Sequence, residues 1–379
     1  MTEPNAPTPY RQYARRAILS LQPYSPNAHA ADSKAIKISA NENDFGTPQA
    51  VRDAVMRAIK DEARLNRYPD SSCLKLRSAL AEKHSLPADC FLVGNGLDDV
   101  LNMLGLAFLE TGDEVVLPTM SFVVYENVVR MMDAKPVPVA MRSDFCIDLD
   151  ATFSAIHERT KLVFLCSPNN PTGTSITKDE FEAFLQKIST LQTPPLLVMD
   201  HAYLDYQPNG PACFDAADYL GACPTMLVLR TFSKISALAG MRVGYAIGNP
   251  DLLAYIYRIR PPYTVNALAQ AAAIADVSSP EVEAFKRQVS DAVSSLRLEL
   301  ESFLAASDIP YVPSRANFVF AFYDRTDGDL AALAAQLAAR GILVRVLAHQ
   351  HAPSGLRLSI GTPEENRALI EALRDILQA

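Results

Sequence analysis

Three polar residues stand where an apolar run gives out. Lys234 follows Met226 to Leu229 in the stretch LRTFSKISALAGMRVGY, with Thr231 and Ser233 just before it and Arg242 eight residues later. Asn170 follows KLVFLC, and Asp200 ends PPLLVMD. In an open parallel sheet, ligands bind outside the carboxyl ends of the strands. If these runs are neighbouring strands, the lysine, the carboxylate and the asparagine meet in one crevice. Each also has a plain explanation: Asp200 as a helix N-cap, Asn170 as a turn residue before Pro171, Lys234 as a solvated surface lysine. Together those explanations require three independent accidents at equivalent strand ends.

Several chemistries use a lysine beside glycine-rich turns. A P-loop needs Gly-x4-Gly-Lys-[Ser/Thr], and Lys234 has no glycine just before it. A dinucleotide fingerprint needs G-x-G-x-x-G, and GNGLDDV (Gly94 to Val100) carries Asp99 at the third glycine. It also precedes the DEVVLPT run instead of opening the first βαβ unit. As a turn into LDDVLNMLGLAFL it places backbone N–H groups at a helix N-terminus, which is an anion site. Pyridoxal phosphate takes all of these parts at once. Its aldehyde needs a lysine for a Schiff base, and its pyridine nitrogen needs a carboxylate that keeps it protonated. At ~3 Å and an effective dielectric of ~20 such an ion pair is worth roughly 5 kcal/mol, on the order of 4 pKa units. An asparagine or tyrosine can donate to the ring's phenolate oxygen, and the phosphate needs a helix N-terminus and a cation.

The elements that must position these residues read as alternating buried strands and helices. DEVVLPT (Asp113 to Thr119), KLVFLC, PPLLVMD, TMLVLRTFSK and MRVGYAIG are short apolar runs. KPVPVAM (Lys135 to Met141) reads as an edge strand, because Pro136 and Pro138 cannot donate to a ladder. Between them, TKDEFEAFLQKIS opens with Thr177 and Glu180 in a capping box. The pattern predicts an α/β fold with a mostly parallel central sheet covered on both faces. Further on the character changes. DAVSSLRLELESFLAAS is a long helix, NFVFAFY a strand, and DLAALAAQLAARGI a helix stopped by Gly341. GLRLSIG is a strand, followed by a helix that starts at Thr362-Pro363-Glu364-Glu365 with a cap, a proline and a capping box. We expect an N-terminal segment, residues 1–65, packing with a small α+β domain at residues 282–379, and a large α/β domain at residues 66–281.

The bulk composition narrows the field. With 379 residues the chain suits one large domain and a smaller one. A hydrophobic share of 49% and a charged share of 21% are those of a folded globular protein. A net charge of -8 argues against nucleic acid or an anionic membrane as the main partner. The six cysteines show no C-x-x-C pair and read as reduced packing residues of a cytoplasmic protein. A zinc site needs tighter spacing with histidine, so no metal is expected. The polar N-terminus has no apolar signal region, and no apolar run is long enough for a membrane helix.

Taken together, SANEN, NRYPD, SPNNPTG, DHAY, TFSK…LAGMRVGY, RPPYTVNALAQ and RLSIGTPEEN resemble the fold-type I, pyridoxal-phosphate-dependent aminotransferases. NRYPD, RPPY and the terminal arginine motif are similar to the histidinol-phosphate branch of that family. The likeness runs from about Leu21 to the end. It implies that Lys234 forms the Schiff base and carries the proton shift, and that Asp200 pairs with the pyridinium. It implies that Tyr203 and Asn170 bond the phenolate oxygen and that Phe122 stacks on the ring. Ser233, Arg242 and the groups around Leu97 and Asp98 would hold the phosphate. Tyr68 would reach the cofactor of a neighbouring subunit, giving a homodimer with shared active sites. Arg357, its companion Arg345 and the N-terminal Tyr24 would bind substrate. Two arginines suit a phosphate dianion better than one carboxylate.

The implied reaction is ping-pong transfer of an amino group from L-histidinol phosphate to 2-oxoglutarate. An aromatic or other amino acid as donor, or a threonine-phosphate-type decarboxylation, stays open on the same scaffold. The stretch before SANEN is too short for the helix-turn-helix domain and linker of regulators that carry this fold. Four positions depart from the family pattern: Asp44 for proline, His201 for glutamate, Leu97 for serine, and PYSPNAHAAD without the glycine usual after its proline. These departures touch substrate identity more than cofactor chemistry.

Overall fold

The computed structural model describes residues 10–19, 21, 35–62, 66–207, 213–348 and 352–378. In chain order its strands are β1 (Ile36–Lys37), β2 (Phe91–Gly94), β3 (Glu114–Pro118), β4 (Lys135–Val139), β5 (Thr160–Cys166), β6 (Leu196–Asp200) and β7 (Met226–Thr231). They continue with β8 (Gly244–Gly248), β9 (Tyr311–Val312), β10 (Phe318–Ala321), β11 (Ile342–Leu343), β12 (Arg345–Leu347) and β13 (Gly355–Ser359).

Among the described residues, β2 to β8 form a seven-stranded sheet in the order β2-β8-β7-β6-β5-β3-β4. All neighbours from β7 to β4 are parallel, and β8 alone runs against β7 and β2. The apolar runs are continuous because both faces of the sheet are buried. Along β5, Val163 and Leu165 enter one core with Val116, Met199 and Val228, while Leu162, Phe164 and Cys166 enter the opposite one with Val115, Val198 and Leu229. This is the α/β class with a mostly parallel sheet that the sequence predicts.

β4 takes the edge position expected of it. Lys135 N–H donates inward to Asp113 and the Val139 carbonyl accepts from Thr119. The alternate residues, Pro136 and Pro138, therefore turn their backbone nitrogens outward, where a missing N–H costs no ladder bond.

A second sheet, β12-β13-β10-β9, is antiparallel. Phe318, Leu356, Leu358, Leu300 and Leu369 belong to its core, which also takes in Tyr203, Tyr206 and Ile235. β1 pairs in parallel with β11, and the Gln49–Arg57 helix packs on the Ala267–Ser278 helix. The position expected for a division, Val282, falls in the first turn of one continuous helix, Pro280–Ala306.

The helix signals act as local chemistry dictates. Thr177 and Glu180 cap the Lys178–Ser189 helix reciprocally. Thr362 and Glu365 exchange bonds of 2.8 and 3.3 Å at the start of the Pro363–Gln378 helix. Gly341 adopts φ +77 after the Asp327–Ala339 helix. One strand went unnamed in the sequence reading. The Gly94–Gly96 turn does follow a strand, β2, which is hard to see in the sequence because it is four residues long. β2 pairs with β8 and not with β3, so no dinucleotide unit results.

Candidate active site

The strand ends meet as the topology requires. A cavity of about 440 Å³ is lined by Leu97, Asp98, Phe122, Asn170, Asp200, Tyr203, Ser233, Lys234, Arg242, Arg345 and Arg357. That volume suits a cofactor-sized ligand. Asp200 closes β6, Asn170 lies four residues past β5, and Ser233 and Lys234 follow β7. Arg242 reaches the same edge by another route. It precedes β8, and because β8 is reversed its beginning lies beside the carboxyl ends of its neighbours.

Asp200 is buried at 3% exposure. Tyr125 Oη donates to its Oδ2 at 2.5 Å and Ala202 N–H to its Oδ1 at 2.9 Å. The Ala202 bond is the turn-capping role open to any aspartate; the Tyr125 bond goes beyond it. Burial pushes the carboxyl above its ordinary pKa, and the two donors pull it back. Burial and the Asp200 charge hold Tyr125 firmly as a phenol, so it stays a donor. Its ring lies flat on Phe164, centroids 4.7 Å apart.

Lys234 is not a solvated surface lysine. It is half-buried, and its Nζ donates to the Ala40 carbonyl at 2.9 Å and sits 5.6 Å from the centre of the Tyr203 ring. Burial first, then the charge of Arg357, lowers its pKa to about 8. About a tenth is therefore the neutral, nucleophilic amine at pH 7, far more than an ordinary lysine offers. Tyr203 is buried, accepts from Asn41 Nδ2 at 3.0 Å, and has its pKa pushed up to about 12 by burial.

At one end of the cavity the Leu97–Phe108 helix begins after Gly96. Gly96 has φ +82, and a Cβ there would lie 2.6 Å from Arg242 Nη2, so only glycine lets the guanidinium approach the turn. Arg242 Nη2 is 3.4 Å from the Asp98 carboxylate. Ser233 is buried and lines the same cavity. A cation, a hydroxyl and a helix N-terminus thus share one corner.

At the other end, Arg345 on β12 stands directly opposite Arg357 on β13. Arg357 is buried, and it donates to Asn170 Oδ1 at 2.7 Å and to the Ser39 carbonyl at 2.8 Å. Asn170 is therefore more than a turn residue, for its amide oxygen carries the arginine.

The donor set fits pyridoxal phosphate. An anion corner, a lysine, a buried carboxylate, an aromatic face at Phe122 and donors at Asn170 and Tyr203 border the same cavity. A sequence profile for aminotransferase class I and II matches residues 33–373. The chain belongs to that family. The aminotransferase is 37% identical to a histidinol-phosphate aminotransferase of Symbiobacterium thermophilum, over 96% of this chain and 98% of the relative. It is 36% identical to one of Moorella thermoacetica, over 96% and 92%. Among solved structures, the histidinol-phosphate aminotransferase of Sinorhizobium meliloti in complex with pyridoxal-5'-phosphate superposes with a TM-score of 0.83 at 26% identity, covering 91% of each chain. The aspartate aminotransferase of Thermus thermophilus with maleate gives 0.79 at 26% identity, over 90% and 91%.

One expected residue, Tyr68, lies apart from the aminotransferase's cavity. Tyr68 is 81% exposed and stacks on Tyr263, centroids 4.4 Å apart, away from its own chain's cavity. Tyr24 lies outside the described residues. Sequence reasoning also passed over partners that the structure supplies. Tyr125 lies three residues past Phe122 near the start of the Val123–Met131 helix, a spacing that could have flagged it. Asn41 is the central residue of SANEN. Its Nδ2 bonds Tyr203, and its Oδ1 accepts from Ser359 at 2.7 Å. The Ser39 and Ala40 carbonyls left no sequence signal. Among the described residues no His, Cys, Asp and Glu side chains cluster to hold a metal, and no helix is long and apolar enough to cross a membrane.

Proposed function

We propose that this aminotransferase uses pyridoxal phosphate to transfer the amino group of L-histidinol phosphate to 2-oxoglutarate, as a step of histidine biosynthesis. The observation that carries the reading is the pair Arg345 and Arg357, set opposite each other on β12 and β13 and bordering the cavity that also holds Lys234 and Asp200. Two guanidinium groups suit a phosphate dianion, and the names of the relatives agree with that donor.

When bound, pyridoxal phosphate supplies an electron sink for negative charge on the substrate's α-carbon. Lys234 Nζ, with its pKa near 8, holds the cofactor's aldehyde end in the resting enzyme and afterwards moves the α-proton. Asp200 supplies a buried negative charge to the ring nitrogen. Asn170 and Tyr203 donate to the ring's oxygen, and Phe122 covers a face. Arg242, Ser233 and the main-chain N–H groups at Leu97 and Asp98 anchor the phosphate. Arg357 and Arg345 bind the donor first and the 2-oxo acid second, so the two substrates take turns in one place. Tyr24 closes over the substrate.

The working unit is a homodimer in which Tyr68 serves the neighbouring subunit's cofactor. Its exposed stack with Tyr263 favours this, since it leaves two aromatic rings on the surface. The division into residues 1–65, 66–281 and 282–379 and a cytoplasmic location belong to the same proposal. Buried free thiols at Cys73, Cys90, Cys166 and Cys223 agree with a reducing compartment.

The test is a half-reaction. L-histidinol phosphate or single amino acids are added in turn to the loaded enzyme while the aldehyde-form absorbance is followed. Rapid loss with histidinol phosphate alone supports the proposal. Preference for phenylalanine, tyrosine or another amino acid moves the enzyme to a different substrate, and release of carbon dioxide would make it a decarboxylase.

A further inference from the structure

We infer that His201 is a positioning residue, whose imidazole fixes the turn that carries Asn170 and, through it, Arg357. The inference rests on the proposed role of Asn170.

His201 follows Asp200 at the end of β6 and is 1% exposed. Asp200 joins Tyr125 on one side of the sheet; the His201 ring goes to the other and meets Phe214 edge-on at 5.9 Å. Its Nε2 lies 3.1 Å from the Ala216 backbone N–H, and its Nδ1 lies 2.6 Å from the Ser167 carbonyl oxygen. An amide N–H is only ever a donor, so Nε2 must be the acceptor. The ring proton is therefore on Nδ1, where it donates to Ser167. A second proton on Nε2 would face the Ala216 N–H head-on. Burial, reinforced by the charge of Arg230, keeps the ring neutral and its pKa down at about 4. Arg230 in turn pairs with Asp215, which also accepts from Ala217 N–H at 3.0 Å and so shapes the turn that presents Ala216. Asp205 is the other carboxylate on Arg230, at 3.8 Å.

The Ser167 carbonyl matters because the chain turns immediately beyond it. Pro168 and Pro171 bracket Asn169 and Asn170 and bring no N–H groups of their own. Ser167 is tied by its N–H to the Asp200 carbonyl at 3.0 Å and by its hydroxyl to Ile176 N–H at 3.1 Å. His201 supplies the bond to its carbonyl, the last anchor before the prolines. Beyond them Asn170 holds Arg357. If the turn slips, the arginine moves with it.

Two amide substitutions separate the ring's two bonds. In His201→Asn the amide nitrogen takes the place of Nδ1 and can still donate to Ser167. In His201→Gln the amide lies one bond further out, on the Ala216 side. In the holoenzyme we expect His201→Asn to keep kcat/KM within about fivefold, the loss of one neutral hydrogen bond. We expect His201→Gln to raise KM for the amino donor by about tenfold to a hundredfold and to shift the cofactor's absorption band, as a displaced binding group does. Equal loss in the two variants, or none in either, would overturn the inference. A direct measurement needs no variant: nitrogen-15 NMR of the wild-type holoenzyme should find the His201 proton on Nδ1, and a proton on Nε2 would overturn it. Asn170→Ala separates the inference from its premise. If that change leaves KM and the band untouched, the reading of Asn170 fails and the inference with it. If it impairs both while the two His201 variants behave alike, the His201 inference alone fails.

Discussion

Two walls of the cavity are built from different kinds of atom. The wall at the strand ends offers side chains: Asp200, Asn170, Ser233 and Lys234, each within four residues of a central strand. The wall at Ala40, backed by Ser39 and Asn41, offers mainly backbone. The Ser39 carbonyl takes Arg357, the Ala40 carbonyl takes Lys234, and Asn41 alone adds a side chain, to Tyr203 and Ser359. In the proposed mechanism the first wall supplies the groups that react and bind. The second tells two long, flexible cations where to rest. Residue type should therefore dominate at the strand ends, and conformation along 39–41.

That contrast can be broken at either wall. Lys234→Ala should abolish turnover, by at least about 10⁴-fold, with the circular dichroism spectrum unchanged; steady-state assay and spectrum together decide it. Retained transamination would remove Lys234 from the chemistry. Arg357→Ala should raise KM for a phosphorylated donor by about tenfold to a hundredfold, the range for a charge-assisted bond, and KM for the keto acid by less. Equal effects on both substrates would argue against its assigned place.

The Lys234 pKa supplies a pH test. Well below pH 8 the amine is protonated in both the folded and the unfolded chain. Between about 8 and 10.5 the folded chain has lost a proton that the unfolded one keeps, so this group makes the apoenzyme more stable as pH rises through that window. The reactive neutral fraction grows about tenfold per unit up to pH 8 and then levels. Stopped-flow uptake of cofactor by the apoenzyme should follow that curve; continued growth to pH 10 would deny the shift.

Smaller effects are expected along 39–41. Asn41→Ala loses the side-chain bonds to Tyr203 and Ser359, keeps the main-chain N–H on Ser359 Oγ, and leaves alanine at φ 55. It should lower stability by about 1–3 kcal/mol in urea titration. Ala40→Ser keeps the carbonyl that Lys234 uses and adds one small hydroxyl, so it should leave kcat/KM within about twofold. A large loss there would show that residue type matters at this wall too.

The same contrast explains what could be read from the chain. The strand-end residues were legible because apolar runs and capping boxes mark where strands stop and helices begin, and the topology rule converts those places into one site. Arg345 and Arg357 were legible as a pair, although not as direct cross-strand partners. The reversal of β8 carries no local signal, for its residues pack on both faces just as those of its parallel neighbours do. The route by which Arg242 reaches the cavity therefore emerged only from the sheet. The carbonyls of Ser39 and Ala40 were invisible in principle, because every residue owns one. His201 was legible as a departure from a family pattern, but its bonds depend on Ser167 and Ala216, which meet it only in the fold.

At the outer margin of β4, the sheet offers carbonyl oxygens but no N–H at Pro136 or Pro138. A strand from another molecule would need a continuous row of both to zip on. On this side the sheet cannot grow. Copies of the protein that gather at high concentration are thereby kept from joining into a shared ribbon through β4, and any orderly pairing has to use other surfaces.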